Sequence, residues 1–171
     1  GGLINGDFET DDWTGWTHSG DYNYRLISGS KKHGGSKSAA LGRWDTAFNQ
    51  ESPDPADEPF GYEWFYQDFV VPENITYLKF YWWMETYDTA RWDWFDAYIK
   101  DTSGNTLKTI LSQAGKPGSD YGPYWTTTGW QEVQVDISAY RGQKIRIYFD
   151  QRLDGYGDQQ RVYVDDVTLE K

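Results

Sequence analysis

The sequence contains no cysteine. Disulfide bonds, thiolate nucleophiles and zinc sites built on thiolates are therefore excluded, although the redox compartment stays open. No run of apolar residues approaches the ~20 that a membrane-spanning helix needs. The first residues, Gly1-Gly2-Leu3, are not the start of a signal peptide. We therefore expect a module whose export signal lies elsewhere in a longer protein.

Positive charge is scarce, because 16 Lys and Arg residues stand against 27 Asp and Glu residues, which gives a formal net charge of −11. A strongly negative protein repels the phosphate backbone of nucleic acids and anionic membranes. The sequence has no cluster of Lys and Arg that could act as a local exception. We expect no nucleic acid as a partner and no insertion into a membrane.

A sustained helical period is also missing, and short segments of alternating polarity separated by turn residues take its place. This pattern is typical of an antiparallel β-sandwich. With 171 residues and no internal repeat, we predict one all-β domain over residues 1–171 with jelly-roll connectivity. The clearest predicted strands are 63–71, 78–87, 94–100, 106–111, 130–137, 144–151 and 161–169.

Two long stretches have no hydrophobic period. Residues 43–62 are rich in acidic residues and proline, and residues 113–129 display rings, including Trp125, between glycines and prolines. Long loops in a compact domain are usually functional or disordered. The aromatic residues at the ends of the first stretch favour an ordered surface loop.

Aromatic residues are abundant, with ten Trp, fourteen Tyr and eight Phe against one Met. Each buried aromatic side chain removes roughly 150–250 Å² from water, so a few of them fill a core. Many rings must therefore lie at the surface.

The stretch Leu78–Tyr98 has two faces in each of its predicted strands. In the first strand the apolar residues Leu78, Phe80, Trp82 and Met84 alternate with Lys79, Tyr81, Trp83 and Glu85. In the second strand Phe95, Ala97 and Ile99 alternate with Trp94, Asp96, Tyr98 and Lys100. We predict that the apolar sets pack in the core and that the two strands are neighbours sharing one surface of rings and charges.

Flat rings interleaved with hydrogen-bonding groups suit a sugar, which is apolar on its faces and hydroxylated at its edges. The alternative is that the rings stabilise the sheet through cross-strand pairs. Trp16 and Trp130 are expected in core or edge packing. The candidate carbohydrate-binding residues lie on the two strands, on a third strand that could join the same sheet, and on a capping loop: Tyr81, Trp83, Glu85 and Trp94, then Arg146 and Asp150, then Trp125.

Several segments resemble a known family: Asn5–Glu9 followed by Gly15-Trp16, Gly35–Leu41, and Val164–Leu169. Together they are similar to the jelly-roll carbohydrate-binding modules of families 4, 16 and 22, which are galactose-binding-like, lectin-like sandwiches. Residues 130–143 resemble related sandwiches appended to secreted bacterial hydrolases. The resemblance spans the whole chain. It implies a monomeric, non-catalytic module of a larger secreted enzyme that degrades polysaccharides.

The resemblance also implies a structural calcium ion. In similar modules the ion is held by an acidic residue of the opening motif (here Asn5–Glu9), backbone carbonyls near the glycine-rich loop (here Ser30–Ser36) and an aspartate of the closing motif (here Val164–Leu169). Here these are Glu9, a carbonyl around Lys37, and Asp165, with Asp7 and Asp166 as alternates. Calcium takes about six to eight oxygen ligands and accepts this mixture. The alternative is that the aspartates are exposed carboxylates at a strand end.

A small jelly-roll glycosidase is the catalytic alternative, and it needs two carboxylates about 5–5.5 Å or about 6.5–9.5 Å apart. Glu63, Glu85 and Asp96 could be neighbours on one sheet. The ordered acidic signatures of small glucanases are missing, however, and His18 and His33 lie in predicted loops without a nucleophile nearby. We expect no enzyme. A protein-adhesion module that uses the same aromatic surface is the third alternative.

Overall fold

The computed structural model describes residues 2–42, 59–118, 126–155 and 159–171. Within these ranges strands dominate, with one short 3-10 turn at Ser138–Tyr140. The strands are β1 Thr17–Gly20, β2 Arg25–Ser28, β3 Ser38–Gly42, β4 Phe60–Val70, β5 Tyr77–Thr86, β6 Trp94–Lys100, β7 Thr106–Ala114, β8 Thr126–Thr127, β9 Gln131–Asp136, β10 Lys144–Asp154 and β11 Gln160–Glu170.

The strands form two antiparallel sheets. The front sheet has the order β1-β4-β10-β6-β7, and the back sheet has the order β2-β3-β11-β5-β8, with β9 also pairing with β5. The predicted all-β jelly-roll sandwich is confirmed. Among the described residues, no helix is long and apolar enough to cross a membrane.

The core lies between the sheets and is centred on Phe149 of β10. The Phe149 ring lies 4.9 Å from that of Phe80, 5.1 Å from that of Phe65 and 6.0 Å from that of Phe95, measured between centroids. These rings come from β5, β4 and β6, so Phe149 contacts residues of both sheets. On β5, the residues predicted to face the core, Leu78, Phe80, Trp82 and Met84, are all buried.

Phe8 packs at one edge of this core. Its side chain is fully buried, and its ring centroid lies 5.2 Å from that of Trp16. Phe8 has a left-handed backbone with φ of 57°, which is uncommon for a bulky residue and requires support from its surroundings. The turn bond from the Phe8 N–H to the Asn5 carbonyl and the burial of the ring give that support. The prediction that Trp16 packs in the core is confirmed.

One prediction about the sheets is wrong. β5 and β6 are not neighbours, because β5 lies in the back sheet and β6 in the front sheet. The polar segment between them crosses from one sheet to the other and is buried at Asp88, Thr89 and Asp93. Backbone bonds hold this crossing, such as the one from the Ala90 N–H to the Lys116 carbonyl, 2.9 Å long. The outward residues of β5 and β6 therefore lie on opposite outer faces of the sandwich.

The central position of Phe149 predicts a large effect of its truncation. Replacing a buried Phe by Ala removes apolar contacts and leaves a cavity, which costs about 3–5 kcal/mol. We expect Phe149→Ala to lower the free energy of unfolding by that amount in urea titrations. The matched control is Phe60→Ala, whose ring is 67% exposed and whose loss should cost about 1 kcal/mol or less. Equal losses in the two variants would contradict the description of the core.

Candidate functional site

The outer face of the front sheet presents side chains in ordered rows. β10 lies between β4 and β6, and its outward residues pair with outward residues on both sides. One row is charged, the next consists of tyrosines, and the last two mix rings with charges. In order the rows are Asp68–Arg146–Lys100, Tyr66–Tyr148–Tyr98, Trp64–Asp150–Asp96 and Tyr62–Arg152–Trp94. The predicted residues Trp94, Arg146 and Asp150 therefore share one face.

A cleft of about 530 Å³ opens on this face. Its lining combines the rings of three residues, two carboxyl groups, one ammonium group and four polar residues of β7: Tyr62, Trp94 and Tyr98; Asp96 and Asp150; Lys100; Thr106, Thr109, Ser112 and Gln113. Such a mixture of rings and hydrogen-bonding groups is the usual chemistry of a small-molecule or sugar site.

Trp94 is held in a defined orientation at this cleft. Its indole Nε1 donates a hydrogen bond of 2.9 Å to Asp96 Oδ2. The guanidinium of Arg152 lies 4.8 Å from the indole centroid and donates to the Trp92 carbonyl at 2.6 Å. Tyr62 meets the indole edge to face, with the centroids 6.4 Å apart. A ring fixed in this way loses little side-chain entropy when a ligand packs on it.

Arg146 belongs to the same face but is already engaged. Its Nε and Nη2 donate to the two oxygens of Asp68 at 2.7 and 3.1 Å. Its guanidinium also lies 3.8 Å from the Tyr66 centroid. Arg146 is not part of the cleft lining. We assign it a role in ordering the row beside the cleft.

Asp96 and Asp150 form a buried carboxyl pair at the cleft, with 3% and 6% of their surfaces exposed. They are direct cross-strand partners on β6 and β10. Burial raises the pKa of Asp150 well above its ordinary range, and the hydrogen bond to Asp96 and the Asp96 charge act in the same direction. Burial lowers the pKa of Lys100.

The outer face of the back sheet carries the other predicted rings, but the glycine-rich loop covers them. His33 stacks on Tyr81 with the centroids 3.6 Å apart. Lys31 lies 5.0 Å from the Trp83 centroid and 3.6 Å from Glu85 Oε1. Glu85 also accepts a bond of 2.9 Å from Arg161, which explains the burial of its charge. Tyr81, Trp83 and Glu85 thus contact the chain's own loop.

Trp130 lies at the margin of this covered surface. Its ring centroid is 5.8 Å from that of Trp83 and 5.8 Å from that of His33. This is edge packing, as predicted for Trp130. Trp125, the predicted capping residue, lies outside the described residues.

The residues predicted to bind calcium all hold the glycine-rich loop. The Glu9 carboxylate accepts bonds from the Ser36 and Lys37 backbone N–H groups at 2.9 and 2.8 Å. These bonds, that from Ser36 first, lower the pKa of Glu9. Lys37 therefore presents its N–H group to Glu9.

Asp165, at the other end of the chain, contacts the same loop. Its Oδ2 accepts bonds from the His33 and Gly34 N–H groups at 2.8 and 3.2 Å, and burial raises its pKa to about 6. Asp166 Oδ2 lies 2.7 Å from His33 Nδ1. The alternate Asp7 accepts a bond from the Glu9 N–H at 3.2 Å. The oxygen chemistry fits calcium, although backbone N–H groups contact the carboxylates of Glu9 and Asp165.

Glycine is required where the loop meets Glu9. Gly35 has φ of 61°, and a Cβ added there would stand 2.5 Å from the Glu9 carboxyl carbon. A larger residue would push the carboxylate away from the N–H groups that it accepts from.

The three acids considered for catalysis lie on different surfaces. Glu63 points inward from β4 and is bonded to Arg25, and burial raises its pKa to about 7. Glu85 lies on the back face and Asp96 on the front face. The hypothesis that these acids are neighbours on one sheet is wrong. The crossing between β5 and β6 puts Glu85 in the other sheet, and Glu63 and Asp96 share the front sheet but point to opposite sides of it.

Sequence reasoning did not select Tyr62, Tyr98 or Lys100 as binding residues. Tyr98 and Lys100 have the same parity as Trp94, and this signal could have added them. Tyr62 lies at the end of the acidic stretch, where no periodicity is visible. Another set that the sequence did not indicate is Asp88, Asp93 and Asp154, which each bring one carboxylate oxygen within 4.8 Å of the others.

No protein-family model matches the sequence, and no curated protein matches it. Solved structures do. A CBM61 carbohydrate-binding module in complex with β-1,4-galactotriose is 13% identical, with a TM-score of 0.56 and coverage of 100% of this chain and 99% of that chain. The CBM27-1 module of Caldicellulosiruptor saccharolyticus, in complex with mannohexaose, is 11% identical, with a TM-score of 0.54 and coverage of 96% and 94%.

The same fold occurs in an adhesin. The K3 cleaved adhesin domain of Lys-gingipain from Porphyromonas gingivalis is 14% identical, with a TM-score of 0.54 and full coverage of both chains, 100% and 100%. The expected resemblance to carbohydrate-binding modules is thus confirmed for the fold. The particular families 4, 16 and 22 are not supported.

The contact between Glu9 and the glycine-rich loop predicts a local effect of mutation. Glu9→Ala removes the acceptor for the Ser36 and Lys37 amides, so we expect these amides to exchange with deuterium at least about tenfold faster. Asp11→Asn is the control, since it removes the charge of the ion pair of 3.0 Å with the Lys37 ammonium and keeps a residue type that accepts the φ of 62° at this position. Equal exchange in the two variants would show that Glu9 does not order the loop.

Proposed function

We propose that this chain is a non-catalytic module that binds a neutral polysaccharide or oligosaccharide in the front-sheet cleft. The observation that supports this most directly is the composition of the cleft, in which the Trp94, Tyr62 and Tyr98 rings lie beside carboxyl, hydroxyl and amide groups. A sugar can place its C–H face on a ring while its hydroxyl groups bond to the polar groups beside that ring.

Trp94 is the anchor in this proposal. Binding energy concentrates in large aromatic side chains that are held in place and lose water on contact. The hydrogen bond to Asp96 and the contact with Arg152 hold the indole before any ligand arrives. Asp96 and Asp150 lie beside it and can bond to hydroxyl groups, which fixes the orientation of the sugar.

We favour the front face over the back face because the rings of the back face contact the glycine-rich loop. Tyr81 and Trp83 lie under His33 and Lys31 of the glycine-rich loop. These contacts occupy part of the ring surface of Tyr81 and Trp83. On the front face the rings of Trp94, Tyr62 and Tyr98 line an open cleft. We therefore propose Trp94 and Asp150 as the binding residues among those selected from the sequence.

The structural neighbours support the proposal at the level of the fold. Two of them are described in complex with β-1,4-galactotriose and with mannohexaose, and a third as specific for non-crystalline cellulose. These ligands define the panel to test first. We further propose that the chain is a monomeric ancillary module of a secreted polysaccharide-degrading enzyme, as its resemblance to such modules implies.

Protein adhesion is the second candidate function, because the gingipain adhesin domain shares the fold to the same degree as the CBM27 module. The two functions differ in the surface that they need. A concave cleft of about 530 Å³ suits a sugar chain, whereas a protein–protein interface usually needs about 800 Å² on each partner.

Truncation of Trp94 tests the proposal. We expect Trp94→Ala to weaken binding to the preferred oligosaccharide by at least 2 kcal/mol, about thirtyfold, because it removes the anchor ring. Trp94→Phe keeps a ring and should retain part of the affinity. Isothermal titration calorimetry with galacto-, manno- and cello-oligosaccharides measures both variants. Assays of reducing ends on the same sugars should show no release.

Trp83→Ala is the matched control on the other face. The variant removes an indole from the covered surface of the back sheet, so we expect loss of stability with affinity unchanged. If Trp83→Ala abolishes binding while Trp94→Ala does not, the site is on the back face. Binding of none of the sugars by the parent protein would exclude the proposed function.

We also propose that a calcium ion stabilises the region where Glu9 and Asp165 hold the glycine-rich loop. Asp165 is fully buried next to a second carboxylate, Asp166. A divalent cation would offset two negative charges placed close together. It would connect the opening and closing motifs and act on stability, not on a reaction.

Removal of the ion should then lower the melting temperature. A ligand that binds only the native state stabilises it by about 2.7 kcal/mol at a hundredfold excess over Kd. We expect excess EDTA to shift the melting midpoint downwards and added calcium to restore it. Asp165→Asn should be insensitive to EDTA. An unchanged midpoint, with no metal found by elemental analysis, would exclude the site.

A further inference from the structure

We propose that Asp150 contacts the bound sugar as a neutral carboxylic acid, which donates its proton to Asp96 and accepts a hydrogen bond from a sugar hydroxyl. This inference rests on the proposed function, because it names the role of one residue in the same cleft. Sugar binding in the cleft then depends on a proton that Asp150 holds before the sugar arrives.

The geometry of the pair requires a proton. Asp150 and Asp96 are direct partners across β10 and β6, and their side chains, 6% and 3% exposed, line the same cleft. Two ionised carboxylates are acceptors only, so a hydrogen bond between them needs one of the two to be protonated. Like charges directly opposite on a sheet are also destabilising.

Asp96 is the partner whose two oxygens already accept bonds from N–H donors. Its Oδ2 accepts from the Trp94 indole at 2.9 Å, and its Oδ1 accepts from the Gln113 backbone N–H at 2.8 Å. Hydrogen bonds from N–H donors favour the charged form of a carboxyl group. The shared proton therefore belongs to Asp150, which donates it to Asp96.

Asp150 lines the cleft and is 6% exposed, so a sugar hydroxyl in the cleft can reach its exposed surface. Its Oδ1 is buried and has no bond from an N–H or hydroxyl donor within the described ranges. The site therefore lacks the donors that would stabilise a second negative charge beside Asp96.

A pH titration of Asp150 must be distinguished from the titration of the other ionisable groups around it. Burial raises the pKa of Tyr98 to about 12, and it also raises the pKa values of Tyr62 and Tyr148. These phenols from β6, β4 and β10 stay neutral at moderately alkaline pH. The Arg152 guanidinium lies on the same face. The lining residues of β7 carry no charge. Lys100, whose pKa is lowered by burial, is the remaining group that could titrate.

Loss of the proton has a definite consequence. It places a second negative charge against Asp96 and removes the hydrogen bond between the two side chains. The affinity for the sugar should therefore fall as the pH rises above neutrality. Asparagine reproduces the neutral acid, since its amide nitrogen can donate to Asp96 and its oxygen can accept from the sugar, and it cannot ionise.

Calorimetry with the preferred oligosaccharide between about pH 6 and pH 10 tests the role on the parent, Asp150→Asn and Asp150→Ala. We expect Asp150→Asn to bind more tightly than Asp150→Ala at neutral pH and to keep its own affinity in alkali. The parent should lose about tenfold or more in alkali, and Asp150→Ala should be about tenfold weaker at every pH.

Two results would overturn the inference. If Asp150→Asn is as weak as Asp150→Ala at neutral pH, the sugar needs a carboxylate. If Asp150→Asn loses affinity in alkali as the parent does, the loss of affinity is caused by Lys100 and not by Asp150.

A measurement without sugar separates this inference from the proposed function. The infrared difference spectrum between the parent and Asp150→Asn at neutral pH should contain the C=O band of a protonated carboxylic acid, and absence of that band overturns the inference. The parent should also lose stability relative to Asp150→Asn as the pH rises above about 4, because the folded state then holds a proton that the unfolded state releases. If no sugar binds, the proposed contact between Asp150 and the sugar is excluded. The infrared band still shows whether Asp150 is protonated.

Discussion

The position of Phe149 in the core is the constraint on which the rest of this structure depends. Phe149 contacts rings from β4, β5 and β6, so it fixes which residues of β10 point inward. Because side chains alternate along a strand, the same contact directs Tyr148, Asp150 and Arg152 outward. β10 pairs with β4 and β6 along its length, and a shift of one residue would move this set into the core. The hydrophobic core thus sets the positions of the cleft residues.

The two outer faces use similar residues in different ways. On the back face the carboxylate of Glu85 is bonded to Arg161 and lies close to Lys31, and Tyr81 is stacked under His33. These side chains have protein partners, so the face serves to attach the glycine-rich loop. On the front face Trp94, Tyr98 and Asp150 line an open cleft. A ring-rich surface alone does not indicate a binding site, and the cleft beside the rings distinguishes the front face.

The alternation of apolar residues with polar and ring-bearing residues made the orientation of side chains within each strand predictable. It separated Leu78, Phe80 and Trp82 from Tyr81 and Trp83, and it put Trp94 on the face opposite Phe95. It could not give the sheet in which a strand lies. A polar break between two amphipathic strands is compatible with a hairpin and with a crossing between sheets. The crossing here depends on buried bonds of residues 87–93 with segments distant in the sequence, such as that from Tyr87 to Gln159. For the same reason the sequence did not reveal that the glycine-rich loop covers the β5 rings.

The carboxyl pair explains why a polar group of this cleft can be both buried and available. A single buried carboxylate without partners would be costly, and two adjacent ones still more so. With one proton between Asp150 and Asp96, the pair carries one negative charge. The Trp94 indole and the Gln113 amide stabilise that charge on Asp96. The same indole bond orients the proposed anchor ring. The ring proposed to contact the sugar face and the acid proposed to contact its hydroxyl are therefore connected through Asp96, and a substitution at any of the three residues should alter the other two.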